Sequence, residues 1–455
     1  MLNAVLMTAC FAVVWILFYS KRTVVEYHLN GNIAIIALFL FLYIVLGQVY
    51  DAFLISYYPI SQVVYSQGLA VLVADFFMFI VIWLLWKKFP NPFPGLLTFV
   101  VQVLVSAIWT AIIQKWYFKV FKSRRSIVVY DAREGLDRII KQQDLNKKFE
   151  VIASVHIDEC LRDLELLDDI DTVFLSGIHS HERNIILKHC IEQGIRVMVI
   201  PRIGDVIMSS ADTMHLFYLP MLRVERYNPQ FEYSVVKRCF DIVCSILAII
   251  ILSPVLLITA IMIKLTDHGP VFYKQIRLTK DGKEFEIIKF RSMRTDAEKD
   301  GIARLSTGKN DDRITPIGKV IRSTRIDELP QLINVLKGDM SLVGPRPERP
   351  EIAAQYEKEM PEFRLRLQAK AGVTGYAQVY GKYNTTPYDK LQMDLMYIAH
   401  PSLFKDLSII LATIKILFLP ESTEGIDPGQ VTALDYENEA NRTEKWETRD
   451  EHWAD

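Results

Sequence analysis

Two adjacent carboxylates, Asp327 and Glu328, stand among cations: Arg322 and Arg325 just before them and Arg346 after them. A carboxylate in such a field stays ionised. In that state it can act as a nucleophile or ligate a hard metal such as Mg²⁺. If the target is a phosphate, repulsion is the obstacle. Two like charges about 4 Å apart cost roughly 4 kcal/mol at an effective dielectric of about 20. Arginines, a helix N-terminus and Mg²⁺ are the usual remedies. The plainer reading of the same residues is an N-capped helix with surface ion pairs.

The surrounding pattern predicts how the pair is held. Asp327 and Glu328 read as the opening of a helix, with Pro330 tolerated in its first turn. Leu329, Leu332, Ile333 and Leu336 give it an apolar face, and Gly338 stops it. Gly344-Pro345-Arg346-Pro347 then forms a stiff turn, in which two prolines present one guanidinium.

The run Asp-Glu-Leu-Pro-Gln-x-x-Asn-Val-x-Lys-Gly-Asp-Met-Ser-x-Val-Gly-Pro-Arg-Pro-Glu at 327–348 strongly resembles the bacterial sugar transferases, monotopic phosphoglycosyl transferases that load a polyprenyl phosphate with a sugar phosphate. The resemblance covers about 233–420 and is specific over many positions. The front half resembles the long form of the family more loosely. The resemblance implies a nucleotide diphosphate sugar, a UDP-sugar, attacked at its β-phosphorus, and undecaprenyl phosphate as acceptor. It implies two half-reactions, with Asp327 taking the sugar phosphate covalently before the lipid phosphate collects it. Glu328 would hold Mg²⁺ or assist proton handling, and Arg322 and Arg346 would stabilise phosphoryl charge. Lys289 matches the lysine of the family's Lys-Phe-Arg-x-Met motif and is carried over as a phosphate or substrate contact. Asp406, in Lys405-Asp406-Leu407, fits a family active-site aspartate better than Asp394 does.

The elements that must position this chemistry start with four apolar stretches, at about 4–19, 31–50, 66–86 and 95–114. Each is near the roughly 20 residues that cross a bilayer. Asp75 lies inside the third; an intramembrane acid is a functional candidate, with a structural role at least as apt. Lys115, Lys119, Lys122, Arg124 and Arg125 place the end of the fourth span in the cytoplasm, although Lys21-Arg22 and Lys87-Lys88 then fall outside. Residues 123–225 alternate short β-rich runs with helical ones, which predicts a Rossmann-like α/β domain with a parallel sheet. Its first turn, Asp-Ala-Arg-Glu-Gly, lacks the Gly-x-Gly-x-x-Gly of a dinucleotide site, so a scaffold or homodimer role is favoured over nucleotide binding.

The apolar run 240–263 is broken at Ser253-Pro254 and has basic residues on both sides, Lys237-Arg238 and Lys264. Such flanks favour a re-entrant helix over a fifth span, and the resemblance implies the same. A small α+β catalytic domain completes the expectation, within boundaries 226–420. The remainder, 421–455, reads as an acidic, solubilising tail. The whole is expected to be a membrane protein of a bacterial inner membrane. A net charge of −1 offers no global field for nucleic acid. The five cysteines, Cys10, Cys160, Cys190, Cys239 and Cys244, show no metal spacing and suit a reducing compartment. Two rival readings are a membrane-anchored nucleotide-sugar dehydratase or epimerase, disfavoured by the missing glycine fingerprint, and a non-catalytic scaffold for polysaccharide assembly, disfavoured by the intact Asp-Glu and Pro-Arg-Pro segments.

Overall fold

The computed structural model describes residues 2–22, 29–131, 135–142, 145–227, 229–294, 313–381 and 385–417. The expected acidic tail lies outside them. The chain forms two compact units, Met1–Arg202 and Ile203–Asp455.

The first unit opens with α1 (Leu2–Val14, continued by a π-turn Trp15–Tyr19), α2 (Leu29–Val49), α3 (Ile60–Trp86) and α4 (Phe93–Val120). All four are long and apolar enough to cross a membrane. Lipid-like surroundings give helices no hydrophobic reason to associate, so polar side chains act as the glue. Thr98, Gln102, Ser106 and Thr110, spaced four apart on α4, are all buried. Ser106 and Thr110 both donate to the Gln67 amide oxygen on α3, and Gln102 Nε2 reaches the Met7 carbonyl on α1 at 3.2 Å. At one end of the bundle Trp86 Nε1 donates to the Tyr19 carbonyl. At the other, Gln114 donates to the carbonyls of Ile55 and Tyr58.

That second end carries the α/β domain: β1 (Arg124–Tyr130), α5 (Leu136–Gln142), β2 (Phe149–His156), α6 (Ile157–Arg162), β3 (Thr172–Ser176), α7 (Ser180–Glu192) and β4 (Arg196–Val199). The sheet order is β2-β1-β3-β4, parallel throughout, as the alternation predicts. Lys148 joins the two parts, with Nζ 2.7 Å from Ser56 Oγ and 3.0 Å from the centre of the Tyr57 ring.

The second unit begins at 203, ahead of the expected boundary near 226. The reason is packing: Ile203 and Val206 of α8 (Ile203–Ser209) sit in one core with Val343, Leu391, Leu395 and Tyr397. A hairpin of β5 (Asp212–Leu216) and β6 (Leu219–Arg223) follows. Then comes α9 (Phe231–Asp267), one uninterrupted helix through Ser253-Pro254. Pro254 has no amide to offer the carbonyl four residues back, that of Ile250. Ser253 Oγ donates to that carbonyl at 2.8 Å, so the acceptor is satisfied without opening the helix.

The rest of the second unit comprises β7 (Phe272–Leu278) and β8 (Glu284–Phe290), α10 (Pro316–Ser323), α11 (Gln331–Lys337), β9 (Ser341–Val343), α12 (Pro350–Glu359), β10 (Gly372–Thr374), α13 (Tyr376–Tyr380), α14 (Pro387–Ala399) and α15 (Leu403–Leu417). β7 and β8 form an antiparallel hairpin, turning through Asp281 and Gly282 at positive φ. β9 and β10 pair in parallel at very close quarters. A Cβ on Gly372 would lie 2.1 Å from the Gly344 nitrogen, and one on Gly344 would lie 2.2 Å from the Lys370 carbonyl. The run 372–379 is strand only to Thr374 and then becomes α13.

Candidate active site

Asp327 and Glu328 do not open a helix. They occupy a single 3₁₀ turn, Ile326–Glu328, set off from α10 by Arg325 at φ 54° and from α11 by Pro330 at its N-cap. A left-handed arginine ends α10 and re-aims the chain. The proline, lacking an amide, marks the true start of α11. Gly338 does cap that helix, at φ 97°.

Three cations converge on Glu328. Lys289 Nζ from β8 lies 2.8 Å from Oε1, and Arg346 Nη2 from the Pro-Arg-Pro turn 3.3 Å from the same oxygen. Arg325 Nη1 lies 3.8 Å from Oε2. Burial by itself would raise the Glu328 carboxyl, but Lys289, Arg346 and Arg325 together outweigh it and hold it well below the usual carboxylate range. Asp327 forms no ion pair among the described residues. Burial, and next the Glu328 charge, push its carboxyl up to about 6, against the pull of Lys289, Arg322 and Arg346. The two neighbours thus diverge: one carboxylate is pinned, the other untethered and basic enough to attack. Four cations, Lys289, Arg322, Arg325 and Arg346, act between them on the two carboxylates. Arg322 is steadied by Nε donating to Ser292 Oγ at 2.8 Å.

The cations are held from behind. Asn334 of α11 is fully buried, accepts from the Ile288 amide at 3.0 Å and donates to the Glu286 carbonyl at 2.7 Å, which fixes β8 and so Lys289. The Arg346 turn is fastened at four points. The Gly344 amide meets the Thr374 carbonyl, and the Gly372 amide the Pro345 carbonyl, each at 2.9 Å. Arg366 donates to the Arg346 carbonyl at 2.9 Å and Arg277 to that of Pro347 at 3.1 Å. Arg366, nearly fully buried, also pairs with Asp394 at 2.7 Å. Asn334 was legible only as a letter within the family motif, and nothing in the sequence around Arg366 marks it.

Asp406 is not brought to this cluster. It is fully buried at the start of α15, where its Oδ2 takes Lys237 Nζ at 2.8 Å and the Tyr233 hydroxyl at 3.0 Å, and its Oδ1 the Tyr397 hydroxyl at 2.7 Å. With both oxygens engaged it ties the base of α9 to α14 and α15. Ser253 and Pro254 lie mid-way along α9, away from the carboxylates in sequence and role.

A Mg²⁺ site can be weighed on the donor set. Glu328 Oε1 is doubly occupied, but Oε2 meets only Arg325, beyond hydrogen-bond distance, among the described residues. That leaves one hard oxygen beside the untethered Asp327. Among the described residues no group of three His, Cys, Asp or Glu converges. The fit is that of an ion completed by substrate oxygens and water, as is usual for Mg²⁺.

Residues 232–420 match the family described as bacterial sugar transferase. Over 192 residues the chain is 43% identical to the UDP-N-acetylgalactosamine-undecaprenyl-phosphate N-acetylgalactosaminephosphotransferase of Aeromonas hydrophila, spanning 42% of this chain and 45% of that one. It is 43% identical over 189 residues to the exopolysaccharide production protein PSS of Rhizobium leguminosarum bv. phaseoli, covering 40% of this chain and 94% of that protein. A UDP-glucose:undecaprenyl-phosphate glucose-1-phosphate transferase of Caulobacter vibrioides is 38% identical over 199 residues, 43% of this chain and 74% of its own length. Matched across nearly all of one relative and most of another, with the carboxylate pair and its cations inside the matched region, the chain belongs to the bacterial sugar transferase family.

Proposed function

We propose that this chain transfers a hexose 1-phosphate from a UDP-sugar to undecaprenyl phosphate and releases UMP, as the first membrane step in making a surface polysaccharide or glycoconjugate. The observation that carries the reading is the division between Glu328, held by three cations, and Asp327, left untethered beside them. In the first step an Asp327 oxygen attacks the β-phosphorus. The bond from that phosphorus to the UMP oxygen breaks, and UMP leaves with the electron pair. In the second, an oxygen of the lipid phosphate attacks the same phosphorus, the acyl phosphate bond breaks, and Asp327 returns as a carboxylate. Lys289, Arg322 and Arg346 meet the charge that grows on the phosphoryl oxygens. Mg²⁺, when bound through Glu328 and Asp327, would neutralise part of the diphosphate charge.

The reading also places the catalytic fold on the cytoplasmic face, with α9 dipping into the bilayer and returning. Both ends of α9 pack on the same fold, which supports this. Lys237 and Arg238 contact α15 and α11, while Ile263 packs with Phe290 and Ile321. Between them Ile250, Ile251, Leu257 and Ile258 are exposed, as a lipid-facing stretch would be. The test is UMP release from a panel of UDP-sugars by membranes bearing the protein, with and without undecaprenyl phosphate. No acceptor-dependent sugar lipid from any UDP-hexose would refute the reading.

A further inference from the structure

Three charged side chains near the base of α9 enter three separate parts of the fold behind the carboxylate pair. Lys237 meets Asp406, and Asp241 Oδ1 accepts from the Leu342 amide at 3.2 Å. Arg238 does something more specific. Its Nη1 donates to the Val335 carbonyl at 2.6 Å and its Nη2 to the Leu336 carbonyl at 2.9 Å. These belong to the last turn of α11, where helix carbonyls run short of donors; the Val335 carbonyl also takes the Gly338 amide at 3.1 Å. A cation there also complements the helix dipole.

α11 is only seven residues long, and Asp327-Glu328 lie just before its N-cap. Arg238 therefore grips the far end of the short helix whose near end carries the nucleophile turn. Through Asn334 the same helix also sets β8 and Lys289. A movement of α9 relative to α11 would shift the carboxylates and Lys289 together, so their mutual geometry would survive while their height above α9 changed.

We propose that Arg238 is a positioning residue that sets the height of Asp327 relative to α9, and through it governs the step in which the lipid phosphate meets the phospho-sugar. This rests on the two-step reading above. A UDP-sugar arrives from water and needs only the pocket's own groups. The phosphate of a polyprenyl lipid is confined to head-group level and cannot follow a displaced pocket. A misplacement of about 1 Å can cost on the order of 10²-fold in such a step.

The test uses the full-length protein in membranes, as wild type, Arg238→Gln and Arg238→Lys. Two things are measured: sugar-phosphate label taken up by the protein from radiolabelled UDP-sugar alone, and the KM values for UDP-sugar and for undecaprenyl phosphate. In Arg238→Gln the acceptor KM is expected to rise at least tenfold, while donor KM and donor-only labelling stay within twofold of wild type. Arg238→Lys, which keeps the charge and can reach one carbonyl, should fall between. An equal loss in the donor and acceptor steps would show a fold-wide defect and overturn the proposal, as would no loss in either. If Arg238→Gln does not accumulate, Arg238→Lys decides: an acceptor KM raised alone upholds the proposal, and an unchanged one overturns it. Should wild type take no label from donor alone, the covalent reading falls. The comparison of acceptor with donor KM still judges Arg238, because it needs no covalent intermediate.

Discussion

Arg226 Nη2 lies 2.5 Å from Asp281 Oδ1, although the whole of α9 separates these residues in the chain. An exposed ion pair contributes little energy; its value is geometric, because it brings the segment before α9 and the hairpin after it to one place. Single cysteines at Glu225 and Lys283, in a background without the five native cysteines, should both resist an impermeant maleimide in intact cells and both react after lysis. Labelling of position 283 from outside with 225 protected would mean that α9 spans. Replacing Ser253 and Pro254 together with Leu removes both the hydroxyl and the need for it, and should push a fraction of molecules into that spanning form.

The carboxyl of Asp327, pushed up to about 6, should appear as an acidic limb in the pH profile of kcat/KM for the donor. The stability consequence has a definite sign. The folded protein holds the Asp327 proton more tightly than the unfolded chain does, so stability falls as pH rises from about 4 through 6. Glu328 acts oppositely. Its contribution is present at neutral pH and is lost only as pH falls through its depressed folded-state value. Asp327→Asn should abolish turnover and donor labelling while melting curves lose the decline between pH 4 and 6. Activity within about tenfold of wild type, roughly 1.4 kcal/mol of barrier, would remove Asp327 from the nucleophile role. Lys289→Ala takes away a cation that draws both carboxyls down, and should move the acidic limb to higher pH.

Mg²⁺ dependence follows from the half-occupied Glu328. Exhaustive EDTA treatment should stop UMP release, and added Mg²⁺ should restore it. Glu328→Gln should raise the Mg²⁺ concentration needed for half-maximal rate. Full turnover in chelated membranes would take the ion out of the reaction.

Arg366 offers a stability test. Removing one partner of a buried pair leaves an uncompensated charge and costs about 3–5 kcal/mol. Arg366→Ala should therefore destabilise strongly, by orphaning Asp394 and freeing the Arg346 carbonyl. Arg366→Ala combined with Asp394→Leu should recover part of the melting temperature but not the activity, because Arg346 would still lack its rear support. Recovery of both would show that Arg366 matters for folding alone.

Much of this site was legible from the chain. The motif marked Asp327, Glu328 and Arg346, the Lys-Phe-Arg segment marked Lys289, and the parallel α/β sheet followed from alternation. What escaped depends on tertiary contact. Asn334 and Arg366 act by bonding backbone atoms of distant strands and turns, which leaves no spacing to detect. The contacts of Asp406 with Lys237, Tyr233 and Tyr397 were likewise invisible, because a motif position says only what lies nearby in sequence. The helix start was misplaced because Arg325 takes a left-handed conformation that residue type does not signal. The allegiance of α8 to the second unit rests on two apolar side chains, Ile203 and Val206, too short a signal to read as a domain boundary.

The double attachment of α9 makes anchor and enzyme one cooperative body. Cutting the helix away would open the core at Ile263, Phe290 and Ile321 and, at the other end, take Lys237 and Tyr233 from Asp406 and Arg238 from the α11 carbonyls. A soluble catalytic fragment is therefore not to be had by trimming, and solubilisation becomes a step in the protein's thermodynamics as well as its handling. A detergent that draws α9 off its two seats should melt the catalytic fold in the same transition. One that sheathes the exposed middle of the helix should leave that fold whole.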